Sequence, residues 1–146
     1  MTTHQGGCHC GNLRLTLRLS QPPEATSLRA CGCSFCRANQ TRTASDPKGS
    51  AEIWATDWND VSRYRFGTGT ADFLVCRRCG IYIGAVTETP DGMRMVTNTN
   101  CLDDRALFTG TPAPTNHDGE AVEGRIARRA ANWTPTTIYQ APFARR

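Results

Sequence analysis

The sequence lacks any long hydrophobic run, and none approaches the roughly 18 apolar residues of a membrane helix. Its opening stretch, MTTHQGGCHCGN, has no apolar segment like that of a secretory signal peptide. It also has no glycine-rich nucleotide loop and no long apolar stripe with helical spacing. These absences argue against a membrane span, export, a nucleotide cofactor and a helical bundle, and we expect a cytoplasmic location.

Apolar residues are also few. They make up 38% of the 146 residues, and the mean hydropathy is −0.48. The length suits a single domain spanning residues 1–146, but something besides the apolar core is expected to stabilise it. The net charge is only +4, and the basic residues, mostly arginines, are dispersed, so a nucleic-acid-binding surface is disfavoured.

Short strands dominate the predicted secondary structure. In Asn12–Ser20 four leucines alternate with polar residues, which predicts a half-buried strand. Strands separated by turns at spacings of roughly 8–12 residues predict an all-β fold. Residues 37–50 are predicted to form at most one helical turn and a loop, residues 104–132 a loop, and residues 144–146 a frayed end. The other predicted strands are Ser27–Ala30, 51–55, 62–66, two strands within 71–86, 93–102 and a short edge segment within 132–143.

Cysteine, in contrast, is abundant, with eight residues in the chain. Without export, thiolate–metal chemistry is a better explanation than disulfides. Cys8-x-Cys10 and Cys76-x-x-Cys79 each place two thiolates on one turn, and together they supply the four ligands of a closed zinc site. Such a site would offset the thin core, since a structural zinc contributes on the order of 10 kcal/mol. The alternative is that these cysteines are buried without metal.

A further group, Cys31, Cys33 and Cys36, supplies only three sulfur atoms. Three protein ligands plus an open position are typical of a catalytic or substrate-binding zinc. Two alternatives stay open: Cys101 or a histidine completes a second closed site, or the three cysteines hold no metal. Cys101 itself is predicted to behave as a small buried hydrophobic residue.

The three histidines are weaker ligand candidates. His4 is expected in a flexible terminus, and the side chain of His9, between two cysteines, is expected to point away from the metal. His117 is expected either on the surface or lining a cleft.

Several arginines lie near cysteines in the sequence. Ordinary solvated surface explains them most simply. The alternative is that they compensate the net negative charge of a zinc–thiolate centre. The arginines concerned are Arg29, Arg37, Arg77 and Arg78.

The motifs resemble those of the glutathione-dependent formaldehyde-activating enzyme family, whose domain recurs in centromere protein V. The resemblance covers roughly residues 5 to 110, which leaves 111–146 as a C-terminal extension. It rests on GGCHCGNLRLTL, CGCSFCR and LVCRRCGIYIG, in this order, and more weakly on NTNCLDD.

The resemblance implies a β-tent fold, in which short antiparallel sheets surround two zinc ions. The chain departs from the family pattern after Cys36, where a polar run replaces a glycine-small-aromatic run, and at Asn100-Cys101. Ala130 stands where the family's Arg-x-x-Trp stretch has arginine. By position, the resemblance assigns a structural zinc to Cys8, Cys10, Cys76 and Cys79 and a catalytic zinc to Cys31, Cys33 and Cys36.

The activity implied is carbon–sulfur adduct formation of the S-(hydroxymethyl)glutathione synthase type, a lyase reaction. Its partners would be a thiol such as glutathione and a small aldehyde such as formaldehyde. Arg37 and Arg77 are candidate substrate anchors, with Arg42 and Arg78 as further choices. The alternatives are an enzyme of the same fold acting on another electrophile or thiol adduct, and a non-catalytic zinc-binding scaffold. The sequence does not determine the oligomeric state.

Overall fold

The computed structural model describes residues 1–140, so the predicted frayed end at residues 144–146 lies outside the described part. Most of its regular structure is β-strand. The strands within residues 1–140 are β1 (Thr2–Gly7), β2 (Leu13–Leu19), β3 (Arg29–Cys31), β4 (Thr43–Ala44), β5 (Ser50–Ala55), β6 (Val61–Tyr64), β7 (Asp72–Cys76), β8 (Tyr82–Thr89), β9 (Gly92–Asn98), β10 (Ala113–Thr115) and β11 (Thr134–Tyr139).

Helices are short and lie between the strands. In the described chain they are α1 (Ser34–Asn39) and α2 (Val122–Asn132), with 3-10 turns at Pro23–Ala25, Trp58–Asp60, Thr99–Cys101 and Arg105–Leu107. None of the helices within residues 1–140 is long and apolar enough to cross a membrane.

The strands form one branched sheet. Its main path runs β1-β2-β5-β11-β9-β4-β3-β10, and β6, β7 and β8 branch from β9. Most pairs are antiparallel, but β11 runs parallel to β5 and β10 runs parallel to β3. The predicted mostly-β fold of short antiparallel sheets around cysteine clusters is therefore confirmed, with these two parallel pairs added.

The leucines of β2 form the centre of the core, as their alternation predicts. Leu13, Leu15, Leu17 and Leu19 are all 1% exposed or less. β2 pairs with β1 on one side and β5 on the other, and Leu15 lies opposite Gly6 and Ile53. Because the core surrounds this strand, the turns at its ends are held in fixed positions.

The N-terminal strand is not flexible, contrary to the expectation for His4. His4 is buried, its Nδ1 lies 2.7 Å from a carboxylate oxygen of Asp104, and its Nε2 lies 2.8 Å from the Thr2 hydroxyl. At Gly6 the backbone approaches the Leu102 segment so closely that a Cβ atom would lie 2.3 Å from the carbonyl oxygen of Cys101. Both contacts fix β1 against the 3-10 turns.

Two other expectations fail in the C-terminal part. Residues 104–132 were predicted to form a loop, but they contain β10 and the eleven-residue helix α2. The segment predicted at the sheet edge forms β11, which lies between β5 and β9. The division into a core of residues 5–110 and an extension of residues 111–146 stays a prediction. The extension supplies β11, an interior strand of the sheet.

Candidate metal centres and the adjoining cavity

The four-cysteine cluster comprises Cys8, Cys10, Cys76 and Cys79. Cys8 and Cys10 lie in the turn between β1 and β2, and Cys76 and Cys79 lie at the turn between β7 and β8. Their four sulfur atoms all lie within 4.8 Å of one another. Two cysteine pairs that are far apart in the sequence thus converge, as the spacing predicted.

The sulfur spacing fits a bound metal better than a disulfide. The Sγ atom of Cys10 lies 3.6 Å from that of Cys8 and 3.5 Å from that of Cys76. Tetrahedral zinc with Zn–S bonds of about 2.3 Å separates its sulfurs by about 3.8 Å, whereas a disulfide needs about 2.05 Å. None of the eight cysteines forms a disulfide. The donor set and its spacing are therefore consistent with zinc.

Backbone geometry supports this cluster. The Leu13 N–H donates to the Cys8 sulfur at 3.2 Å. Gly80 adopts a φ of 78°, which favours glycine, and its N–H donates to the Cys76 carbonyl at 2.9 Å to close the turn. These bonds fix the two turns that carry the sulfurs.

The thiols of the four-cysteine cluster differ in pKa. Burial raises the pKa of Cys8 to about 12. Burial also acts on Cys79, but backbone groups of Cys10 and Ile81, followed by the neighbouring thiols, bring the pKa of Cys79 down to about 6. A cation is therefore needed for all four ligands to be thiolates at neutral pH.

The three-cysteine cluster comprises Cys31, Cys33 and Cys36, whose sulfurs also lie within 4.8 Å of one another. Cys31 ends β3, and Cys33 is the N-cap of α1, where its sulfur accepts a hydrogen bond from the Cys36 N–H at 3.4 Å. A hydrogen bond with the Cys36 thiol lowers the pKa of Cys31 to about 5 and, reciprocally, raises the pKa of Cys36. The cluster thus carries thiolate character at Cys31 at neutral pH.

Phe35 anchors α1 and with it this cluster. Its ring packs edge-on against Phe73 and Tyr82, each with a centroid distance of 4.9 Å, and stacks on Phe66 at 5.4 Å. One of the two residues between Cys33 and Cys36 therefore packs into an aromatic group, which fixes the position of the helix. The one aromatic residue within CGCSFC was the only sequence signal for this anchor.

A cavity of about 630 Å³ adjoins the three-cysteine cluster and is lined by all three of its residues. The volume is in the range of small-molecule sites. One wall is aromatic and apolar and includes Phe66, Phe73 and Trp133. Arginines, a histidine and two carboxylates also line the cavity. The cavity therefore offers both apolar and charged surface.

The cluster has no fourth protein ligand in the described chain. Within residues 1–140, no other cysteine, histidine or carboxylate atom lies within 4.8 Å of all three sulfurs. The Cys101 thiol instead donates to the Ile83 carbonyl at 3.8 Å, and burial raises its pKa to about 12. This position fits a packed hydrophobic residue rather than a ligand.

The other predicted site residues divide between the two regions. His117 and Arg37 line the cavity. Burial, reinforced by Arg128, lowers the pKa of His117, which keeps it neutral at pH 7. Arg77 lies in the turn that holds the four-cysteine cluster and does not line this cavity. The predicted contact of Arg77 with substrate stays a prediction. Neither His9 nor His4 joins a cysteine cluster.

Sequence reasoning missed the wall formed by α2. Arg125, Arg128 and Arg129 line the cavity, and Arg129 stacks on Trp133 with its Cζ 4.8 Å from the ring centroid. In the family's Arg-x-x-Trp pattern the arginine would stand at position 130, which is alanine in this chain. Arg129 lies one residue earlier, about one helical turn before Trp133. The spacing of the arginines, three and four residues apart, was a helical signal that an apolar search does not detect.

Comparisons with known proteins agree with this architecture. The sequence profile of the family described as glutathione-dependent formaldehyde-activating enzyme matches residues 3–117. The fold is also similar to the crystal structure of a Rhodobacter sphaeroides protein from a structural genomics programme. That structure has 28% sequence identity and a TM-score of 0.58, and the match covers 76% of this chain and 99% of the other. The chain belongs to the glutathione-dependent formaldehyde-activating enzyme family.

Proposed function

We propose that the protein joins a small thiol to a small aldehyde at the three-cysteine cluster, in a carbon–sulfur lyase reaction of the S-(hydroxymethyl)glutathione synthase type. The observation that carries this proposal is the difference between the clusters. Cys31, Cys33 and Cys36 have no fourth ligand among residues 1–140 and line a cavity, whereas the other cluster is complete. An incomplete ligand set beside a cavity is what a substrate-binding metal needs.

The proposed reaction needs a thiolate. A zinc ion held by the three cysteines would supply a position where a substrate thiol loses its proton at neutral pH. The sulfur lone pair attacks the carbonyl carbon, a C–S bond forms, the C=O π pair moves to oxygen, and that oxygen takes up a proton from solvent. The product is a hemithioacetal, and no redox partner is required.

The chain's own residues would bind and orient the substrates. Phe35 holds α1 rigid through its ring contacts, so the cluster keeps its geometry. Phe66, Phe73 and Trp133 give the cavity an apolar surface, which the carbon atoms of a substrate would contact. Glutathione and formaldehyde are the substrates that the family name suggests. We further propose a cytoplasmic setting, because none of the eight cysteines forms a disulfide and a reducing compartment keeps cysteines available as metal ligands.

The test combines metal analysis with catalysis. We expect wild type to hold two zinc ions, Cys33→Ser to hold one, and only wild type to accelerate the NMR-detected exchange of formaldehyde with glutathione. Cys101→Ser is the matched control, because Cys101 belongs to neither cluster. It should keep both metals and the activity. Exchange no faster than the uncatalysed background in the two-zinc wild type would overturn the proposal.

A further inference from the structure

The ring of His117 differs from that of His4 in its hydrogen bonding. Both ring nitrogens of His4 are bonded, one to Asp104 and the other to the Thr2 hydroxyl, so that imidazole stabilises the fold. The ring of His117 lines the cavity beside the three-cysteine cluster, and within residues 1–140 it takes part in no hydrogen bond or ion pair. A half-buried imidazole whose nitrogens are unbound is available to a molecule that enters the cavity.

Strand pairing holds the backbone of His117 next to the three-cysteine segment. β10 runs parallel to β3 with Thr115 opposite Cys31, and the Gly32 N–H donates to the Thr115 carbonyl at 2.8 Å. His117 follows Thr115 by two residues. The register of β10 on β3 therefore fixes the point from which the imidazole projects.

α2 and the residues before it hold the same turn from the other side. The His117 carbonyl accepts hydrogen bonds from the Arg125 Nη2 at 3.0 Å and from the Glu120 N–H at 3.2 Å. The Asp118 N–H donates to the side-chain carbonyl of Asn116 at 2.8 Å. The main chain around His117 is thus fixed on both sides, which is how a fold positions a side chain for chemistry.

Charged groups from three parts of the fold act on the imidazole. Burial lowers the pKa of His117 and Arg128 and Arg125 of α2 lower it further, whereas Glu120 before α2 and Cys31 of β3 raise it. The ring is therefore neutral at pH 7 and can accept a proton. A thiolate that forms beside it adds a negative charge, which favours the protonated ring.

Two neighbouring groups of the cavity are less suited to carry a proton in both directions. Hydrogen bonds from Arg128 lower the pKa of Glu120, so this carboxylate stays ionised and paired. Burial raises the pKa of Tyr82 well above its ordinary value, so the phenol stays protonated. Of these groups, only the imidazole of His117 can change charge near neutral pH.

We propose that His117 is the catalytic proton carrier of the reaction, taking the proton of the substrate thiol and delivering it to the carbonyl oxygen. The proposal rests on the proposed function for the reaction itself. The S–H bond breaks, its electron pair stays on sulfur, and the proton goes to the unprotonated ring nitrogen of His117. Once the C–S bond has formed and the C=O π pair has moved to oxygen, that oxygen takes the proton from His117 instead of from solvent. The ring is then neutral again, so the proton balance closes in each turnover.

The first test counts protons and does not depend on turnover. Titration calorimetry of glutathione into the zinc-loaded protein at neutral pH, repeated in buffers of different ionisation enthalpy, gives the number of protons released when the thiol binds. We expect wild type to release almost none, because His117 retains the thiol proton, and His117→Gln to release about one. His9→Gln is the matched control and should behave like wild type, since His9 is exposed, belongs to neither cysteine cluster and does not line the cavity.

The second test measures the rate. His117→Gln should keep both zinc ions but slow the NMR-detected exchange of formaldehyde with glutathione by about a hundredfold or more, the usual contribution of a positioned acid–base group. Added imidazole should restore part of the rate in this variant and leave wild type unchanged. If His117→Gln fails to fold, the proton count in wild type still decides, because release of about one proton there overturns the proposal.

The outcomes separate this proposal from the proposed function. If wild type accelerates exchange and His117→Gln is equally fast, the function stands and the role of His117 fails. If glutathione binds with its proton retained only when His117 is present, but exchange is no faster than the background, the proton acceptor stands and the aldehyde step fails. If glutathione does not bind the zinc-loaded wild type, both proposals fail.

Discussion

The four-cysteine and three-cysteine clusters are built from the same ligand type but differ in their surroundings. The first joins two turns that lie about seventy residues apart in sequence and has all the ligands of a tetrahedral site. The second lies within one short segment, at the start of a six-residue helix, and borders a cavity. Long-range cross-linking suits a structural role, and a local, incomplete set beside a cavity suits substrate binding.

The largest expected difference is in folding. Cys76→Ser should abolish the cooperative thermal transition seen by circular dichroism, because a structural zinc contributes on the order of 10 kcal/mol, comparable with the whole stability of a domain. Cys33→Ser should lose its metal yet still fold, because serine at the N-cap can accept the Cys36 N–H bond that the sulfur now accepts. If Cys33→Ser unfolds as completely as Cys76→Ser, the two clusters do not differ in role.

A smaller difference is expected in thiol reactivity after mild chelation that empties only the three-cysteine cluster. Cys31 has a lowered pKa of about 5, so it stays a thiolate above that value and gains a proton below it. Its alkylation rate should be flat from about pH 6 to 9 and fall about tenfold per pH unit below pH 5. Cys101, with a pKa of about 12, should react more slowly, at a rate that rises with pH.

Peptide mass spectrometry after timed alkylation measures both rates in one sample. The four-cysteine cluster, still holding its metal, should remain unlabelled and serves as the internal control. A Cys31 rate that climbs steadily from pH 6 to 9, as for an ordinary thiol, would contradict the lowered pKa.

The smallest expected difference concerns two exposed arginines. Arg37 lines the cavity, whereas Arg77 lies at the four-cysteine cluster. Arg37→Gln should weaken glutathione binding about two- to fivefold, the size of an exposed charge interaction. Arg77→Gln should leave it unchanged. Titration calorimetry on the zinc-loaded variants checks both, and an equal loss in Arg77→Gln would restore that residue as a substrate contact.

Where sequence and structure agree, a local rule decides the conformation. The alternating leucines of β2 can bury their side chains only as a strand. The Cys-x-x-Cys-Gly stretch forms its predicted turn because Gly80 adopts a positive φ without strain. Short spacings likewise brought together the three-cysteine cluster and each of the two cysteine pairs of the other cluster, whereas tertiary contacts join those two pairs.

Where they disagree, tertiary contacts decide. α2 has no long apolar stripe; six of its eleven residues are alanine or arginine, both good helix formers, and it packs through Arg129 against Trp133 and Thr70. β11 was predicted as a short edge segment, but its partners are residues of β5 and β9 that no local pattern identifies. The charged cavity wall was missed because α2, which carries three of its arginines, was predicted to be a loop.

The interior position of β11 has a consequence for biosynthesis. Of the strands in residues 1–140 it is the last to be made, yet it provides the hydrogen-bonded connection between β5 and β9. All four residues of the four-cysteine cluster leave the ribosome before it does. If the four-cysteine cluster binds zinc as proposed, we expect metal to link the two halves of the nascent chain before the backbone hydrogen bonds of β11 do.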